Sequence, residues 1–346
     1  MKTLLFPGDR QVKITDTPRP KPGPGQVLVE IKAAGLCGSD LHQQFRVPAA
    51  EREGVVVGHQ TSPRTIPGHE PAGVIAELGA GVATLSPGDR VAIAHVTGCG
   101  HCTACRRGRD IDCVDKVFYG LDRDGAFADF MLAEAKDCIV LPEQVSYVEG
   151  AFWACGAGTG YAALTRGSIV AGETVVIIGL GPVGTAAAFF ATKAGARVVG
   201  VDPLAERREY ARQLGAQILL DPATAADRLS ELTGGDGADL VIEASGTPAG
   251  RASTIGLAAI GGRIVFVGLG NRPVDFDIDM VIQKQLTCMG SWVFGTPDLQ
   301  QMIDSAVDLN ISVEDMVTHR YSLDQAEKAL AEFDAGSLGK TVFVWE

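Results

Sequence analysis

The sequence lacks an excess of positive charge and lacks an unbroken apolar run, and each absence removes a class of function. Acidic residues outnumber basic ones, 42 to 30, for a formal net charge of −12. That balance disfavours nucleic acid and anionic membrane surfaces as partners. The most apolar stretch, Thr174 to Ala194, has the length of a membrane span but is broken by Gly179, Gly181, Pro182, Gly184 and Lys193. A buried strand running into a buried helix fits it better than a transmembrane helix. The opening MKTLLFPGDR breaks into Pro7, Gly8, Asp9 and Arg10 before any long apolar core. No secretory leader is expected from it, and the cytoplasm is the expected compartment. No internal repeat or low-complexity segment stands out.

What is present is a chain of 346 residues, 46% hydrophobic and 21% charged, which suits two globular domains of ordinary size. Its 43 glycines are scattered through apolar runs rather than set in a period, which argues for many tight turns and against collagen or a linker. Eight cysteines stand at 37, 99, 102, 105, 113, 138, 155 and 288. Four disulfides would need a secreted chain, usually a much smaller one. Four of the eight fall within fifteen residues, at spacings that suit a metal better than crosslinks.

The first hundred residues read as short strands between turns: Val27 to Gly35, Ala72 to Leu78 and Arg90 to Val96 are apolar or alternating runs bounded by Gly, Pro and Asp. From about Gly172 the texture changes. Strands at Val175 to Gly179 and Arg197 to Asp202 flank a helix from Val183 to Ala196. Further strands are expected near 218–220, 238–245 and 262–268. Apolar strands alternating with helices imply a parallel sheet covered on both faces. The chain closes with a helix, Leu323 to Phe333, and a final strand, KTVFVWE.

Gly179-Leu-Gly181-Pro182-Val183-Gly184 follows a strand and opens a helix, the context that the GxGxxG dinucleotide pattern requires. Gly179 allows the tight turn, Gly181 lets backbone approach a pyrophosphate, and Gly184 lets strand and helix pack closely. The helix N-terminus offers N–H groups and positive dipole to the phosphates. Asp202, eighteen residues beyond Gly184, can hydrogen-bond ribose hydroxyls and would repel a 2′-phosphate, so NAD is favoured over NADP. Arg207 works against that preference. A glycine-rich packing turn with no ligand is the plain alternative.

Cys99-x2-Cys102-x2-Cys105-x7-Cys113 puts four thiolates on one loop. Such a set closes a tetrahedral shell and reads as structural zinc; redox pairs or an iron–sulfur cluster are the competitors. Arg106, Arg107 and Arg109 can offset the excess negative charge. A second constellation is dispersed: Cys37 in GLCGSDLH, His69-Glu70 in IPGHEPAGV, and Cys155 in WACGAGTGY. Alone, each has a plain reading as a core thiol, a loop histidine or a packing thiol. Together, two thiolates and an imidazole form a zinc shell with one position open.

The order GLCGSDLH, GHE, the cysteine quartet, WAC and GLGPVG resembles the zinc-containing medium-chain alcohol and polyol dehydrogenases, from residue 1 to 346. The resemblance implies an α/β chain with a GroES-like β-rich catalytic domain at 1–156, completed by 293–346, and a doubly wound Rossmann coenzyme domain at 157–292. It implies one catalytic and one structural zinc, and NAD. Cys37, His69 and Cys155 look like the catalytic ligands, with Glu70 able to approach the metal. Ser39 and His42 match the proton relay, Asp40 a partner that orients the histidine, and Thr159 a residue packed against the nicotinamide. His95 and Trp153 match the substrate pocket. A histidine at 95 would suit a polyol, sugar or hydroxy-amino acid, whereas a cysteine at 155 points toward ordinary alcohol dehydrogenases. The segment 43–66, with Arg46, Arg52, His59 and Arg64, shapes the pocket entrance or is a solvated loop. The resemblance further implies a homodimer or homotetramer, with pairing near Gly290 to Pro297. A zinc-free quinone or enoyl reductase of this fold and a non-catalytic NAD or zinc sensor are the rivals; the zinc donors count against the first, and the intact relay against the second.

Overall fold

A computed structural model describes residues 1–56, 59–270 and 273–345, with the side chains at 54–56 and 59–61 outside the described set. The chain divides into two compact units, Met1–Gly158 with Phe294–Glu346, and Thr159–Val293. His59, one of the residues expected at the pocket entrance, has a side chain outside the described residues.

The first unit is built on strand Gln26–Gly35. Its apolar residues Val27, Val29 and Ile31 enter a core with Leu4, Phe6, Ile75, Val91, Phe127 and Phe343, because a sheet folded on itself needs alternate side chains inward. Strands run in the order Cys138–Val140, Arg90–Ile93, Pro71–Leu78, Gln26–Gly35, Lys340–Val344, Val317–Tyr321, with Phe130–Glu134 also paired to Gln26–Gly35. The last strand lies antiparallel to Gln26–Gly35, with Val342 opposite Gly35. That pairing carries Lys340, from near the C-terminus, into the neighbourhood of Cys37 and His69.

One expected strand is divided. Arg90 to Val96 reads as a single run, yet the structure has Arg90–Ile93, a break, and Val96–Thr97. Ala94 N–H turns to the carbonyl of Asp137 and the carbonyl of His95 accepts from Tyr119 N–H, after which Val96–Thr97 pairs with Val117–Phe118 instead. The break turns the backbone where His95 sits. The helix expected at Leu323 to Phe333 likewise opens as a 3-10 turn, Leu323–Gln325, before the α-helix Ala326–Asp334.

In the second unit six strands form one parallel sheet, in the order Ile218–Leu220, Arg197–Val201, Thr174–Ile178, Ala238–Glu243, Ala258–Phe266, Thr287–Gly290. With strands numbered by sequence this is the 3-2-1-4-5-6 order of a doubly wound dinucleotide fold. Val176, Val199, Val241 and Ile264 are buried in its core. Near-continuous apolar strands are what a sheet covered on both faces demands. Among the described residues no helix is long and apolar enough to cross a membrane.

Candidate metal centres and dinucleotide site

Three separate stretches of the first unit converge on one cluster. Cys37 caps a short helical stretch, Gly38–Asp40, that continues as a π-turn over Leu41–Phe45. His69 and Glu70 immediately precede strand Pro71–Leu78. Cys155 lies between helices Tyr147–Trp153 and Gly156–Arg166. Ligand atoms of Cys37, His69, Glu70 and Cys155 all lie within 4.8 Å of one another. His69, Glu70 and Cys155 are buried.

The electrostatics suit a bound cation. The Cys37 thiol is pushed well below its ordinary value, chiefly by the S–H of Cys155, against burial and with help from His69. Cys155 is pushed up by the same bond. Buried Glu70 is raised to about 8 by loss of water, opposed by Lys340. Lys340 Nζ stands 2.5 Å from Glu70 Oε2, while Glu70 Oε1 has no hydrogen-bond partner. Two sulfurs, one imidazole nitrogen and an unsatisfied buried carboxylate oxygen form a donor set that fits zinc.

The surroundings orient these groups. Asp40, fully buried, accepts from Cys37 N–H at 2.8 Å through Oδ2, and its Oδ1 lies 3.2 Å from His69 Nδ1. That contact turns Nε2 of His69 toward Ser39, whose Oγ is 3.3 Å away. A carboxylate behind a ligating histidine fixes its ring and tautomer. His42 is exposed and contacts Arg46 instead. Among the described residues Ser39 and His42 share no hydrogen bond.

His95 is buried beside the cluster, its ring centroid 5.5 Å from that of His69 and 5.9 Å from that of Phe294. Its Nδ1 lies 2.8 Å from the carbonyl oxygen of Ala154. A carbonyl only accepts, so Nδ1 carries the proton and Nε2 the lone pair. Burial, with a contribution from His69, lowers the pKa from 6.5 to about 4. The folded chain therefore resists a proton that the unfolded chain accepts. Protonation destabilises the fold: the penalty is absent above pH 6.5 and grows to on the order of 3 kcal/mol as pH falls toward about 4. Urea midpoints should fall across that window, and should fall less steeply in His95→Phe. Trp153, also expected in the pocket, is 2% exposed within the same unit.

The second constellation is the loop 99–113. Sγ atoms of Cys99, Cys102, Cys105 and Cys113 lie within 4.8 Å of one another, and none of the eight cysteines is in a disulfide. Backbone N–H groups point at the sulfurs: Cys99 N donates to Cys113 Sγ at 3.4 Å, Cys102 N to Cys99 Sγ at 3.4 Å, and Cys105 N to Cys102 Sγ at 3.5 Å. N–H bonds from His101 and Cys102 bring Cys99 down to about 6. Charge on the sulfurs is thus met by main chain. Arg109, expected to offset it, is committed to Asp112 instead, three residues away and sharing its turn.

In the second unit the glycine turn has the expected local geometry. Gly179 adopts φ +89°, and a Cβ on Gly184 would meet the carbonyl oxygen of Gly179 at 1.8 Å. A Cβ on Gly181 would meet nothing within 4 Å, leaving room at the start of helix Pro182–Lys193. That helix has Pro182 in its first turn and no side-chain cap at Gly181. Pro182 and Val183 therefore open it with uncapped N–H groups beyond them, and these fit a pyrophosphate. Asp202 is 2% exposed. It is held by Leu180 N–H on Oδ2 at 2.8 Å and Leu204 N–H on Oδ1 at 2.9 Å. Arg207 stands 3.8 Å from Oδ2. Thr159 has a buried hydroxyl with no hydrogen-bond partner.

Sequence reasoning missed Lys340, Arg46 as a partner of His42, and Phe294 against His95. All depend on segments that no motif links, and only the pairing of the last strand with Gln26–Gly35 places Lys340.

Comparison with known proteins adds to this geometry. Residues 23–143 match the alcohol dehydrogenase GroES-like domain and residues 182–308 the zinc-binding dehydrogenase domain. The chain is 38% identical to an uncharacterised zinc-type alcohol dehydrogenase-like protein of Escherichia coli (strain K12), over 99% of each chain. It is 32% identical to a probable D-xylulose reductase A of Aspergillus clavatus, over 98% of this chain and 95% of that one. It is also 32% identical to an L-threonine 3-dehydrogenase of Pyrococcus horikoshii, over 94% and 92%. Among solved structures, an alcohol dehydrogenase from Thermus sp. ATN1 superposes with TM-score 0.88 at 28% identity, covering 99% of each chain.

Proposed function

The chain belongs to the zinc-dependent medium-chain alcohol and polyol dehydrogenase family, and from that premise we propose that its substrate carries a second hydrogen-bonding group beside the reacting carbinol. It is a zinc- and NAD-linked oxidoreductase of CH–OH donors. The observation that carries the finer reading is His95. Its Nδ1 is committed to Ala154, which leaves Nε2 as an acceptor for a substrate hydroxyl or ammonium near His69. The relatives named for D-xylulose and L-threonine act on molecules with such a group, which supports the reading.

Cys37, His69 and Cys155 would hold the catalytic zinc, with Glu70 as a further donor within reach. Cys99, Cys102, Cys105 and Cys113 would hold the structural zinc. When bound, the catalytic zinc supplies Lewis acidity that makes a substrate hydroxyl easier to deprotonate. Ser39 Oγ would accept that proton as it gives up its own, and His42, which shares no direct hydrogen bond with Ser39, would exchange the relayed proton with water once the coenzyme ribose lies between them. Asp40 keeps His69 in its ligating tautomer. His95 Nε2 orients the substrate, and Trp153 adds an apolar wall. In the coenzyme unit, Gly179, Gly181, Pro182, Val183 and Gly184 cradle the pyrophosphate, Asp202 accepts from the ribose and favours NAD, and Thr159 packs on the nicotinamide. Strand Thr287–Gly290 is an edge of its sheet, the place where a second copy would extend it into a homodimer or homotetramer. The cytoplasm is the proposed compartment.

The test is initial-rate NADH formation with simple secondary alcohols, polyols and hydroxy-amino acids. We expect polyols or hydroxy-amino acids to lead. His95→Phe should lower kcat/KM for the preferred substrate about 10- to 100-fold, because a buried polar contact is lost, while changing a simple alcohol much less. Equal losses on both would contradict the role of His95.

A further inference from the structure

His42 stands in a charge cluster of its own. It lies on the π-turn Leu41–Phe45, which Arg46 closes, so the two side chains are one turn apart on one face. Arg46 Nη1 is 3.3 Å from His42 Nδ1. The guanidinium is gripped from its other side by a residue 288 positions along the chain. Arg46 Nε pairs with Asp334 Oδ1, and Nη2 donates to the Asp334 carbonyl oxygen at 3.4 Å. Arg10 Nε donates to the second carboxylate oxygen of Asp334 at 3.0 Å. Asp334 is the last residue of helix Ala326–Asp334 and is 18% exposed in its side chain.

A guanidinium has donors only, so His42 Nδ1 must accept, and the neutral ring then carries its proton on Nε2. A second proton can enter only at Nδ1. There it breaks the Arg46 bond and sets two cations side by side. We propose that Arg46, clamped by Asp334, is a positioning residue that holds His42 as the neutral, Nε2-protonated tautomer, so that a proton arriving at Nδ1 forms a disfavoured imidazolium that gives a proton up to water and returns to the neutral ring. This rests on the reading of His42 as the outer end of the proton relay.

The charged groups facing His42 are Arg46 on its own turn, Asp334 from the C-terminal helix and Cys37 from the preceding turn, with Arg10 acting through Asp334. Partial burial of the ring, which still reaches solvent, and Arg46 push the imidazole below its ordinary value of 6.5, against Cys37 and Asp334. Asp334 is itself held below the usual carboxylate range: burial opposes this, and the bonds from Arg46 and Arg10 prevail.

The experiment is a pH titration of zinc-loaded protein labelled with 15N in its histidine rings, with His42→Gln supplying the assignment. The wild type should show the Nε2–H pattern and a His42 pKa below the usual histidine value. In Arg46→Met the pKa should rise by about half to one pH unit and the tautomer become mixed. Arg46→Lys, which keeps the charge, should recover part of the downward shift. The acid limb of kcat against pH for alcohol oxidation should move with the imidazole pKa. An Nδ1–H pattern in the wild type, or a titration unchanged by Arg46→Met, would overturn the inference. If the pKa moves while the limb stays, and His42→Gln leaves the profile intact, the clamp stands and the relay reading of His42 falls.

Discussion

Replacing Cys155 by serine is expected to lower kcat/KM for NAD-linked alcohol oxidation by at least about three orders of magnitude and to cost the protein one of two zinc ions. The size follows from the position. Cys155 is buried with its sulfur in reach of Cys37, His69 and Glu70, and no other cysteine approaches that cluster among the described residues. A serine hydroxyl is a poor donor to zinc and stays protonated near neutrality. In the metal-free protein the same change also removes the S–H that does most to lower the Cys37 thiol, so the site would bind zinc less readily. Zinc content by atomic emission, read beside kcat/KM, separates this from general misfolding: the count should fall by one, not two. Full zinc content with activity within tenfold of wild type would contradict the assignment.

The second large effect belongs to the cysteine loop. Cys113→Ser should lower Tm by about 10 °C or more, because a structural zinc shell supplies folding free energy outright and each kcal/mol moves a domain of this size by about 2–4 °C. Cys113 is fully buried and its sulfur accepts from Cys99 N–H. Serine therefore leaves both an open shell and an unpaired donor. The loop 99–113 has little structure besides a four-residue helix, Thr103–Arg106, and a 3-10 turn, Asp110–Asp112, so the ion proposed for the four sulfurs would supply much of what holds it. Limited proteolysis should cut first within this loop in the variant, with the parallel-sheet unit spared. An unchanged Tm would show that the thiols need no metal.

The features legible in the sequence are those that local chemistry dictates. The turn Gly179 to Gly184 needs a positive φ, a close approach and a helix start, and each demand fixes a residue type within six positions. The quartet at 99, 102, 105 and 113 is equally local. The dispersed set Cys37, His69 and Cys155 is different: spacing alone does not join it, and its assembly depends on strand Gln26–Gly35 lying beside Pro71–Leu78. Long-range partners were invisible for the same reason. Lys340 reaches Glu70 because the last strand pairs with Gln26–Gly35, and Asp334 reaches Arg46 because a C-terminal helix ends there. The break at His95 was hidden by composition, since Ala94 and His95 sit inside an apolar run whose hydrogen bonds are redirected to Asp137 and Tyr119.

The most direct test of the central claim is NADH formation from NAD and a polyol or hydroxy-amino acid by one preparation in three states: as purified, stripped by a chelator of the metal proposed for Cys37, His69 and Cys155, and restored with zinc. The account predicts activity in the first, loss of about three orders of magnitude in the second, and recovery in the third with NAD binding intact throughout. Activity that survives the loss of that metal, or that zinc fails to restore in protein still folded and binding NAD, would contradict it.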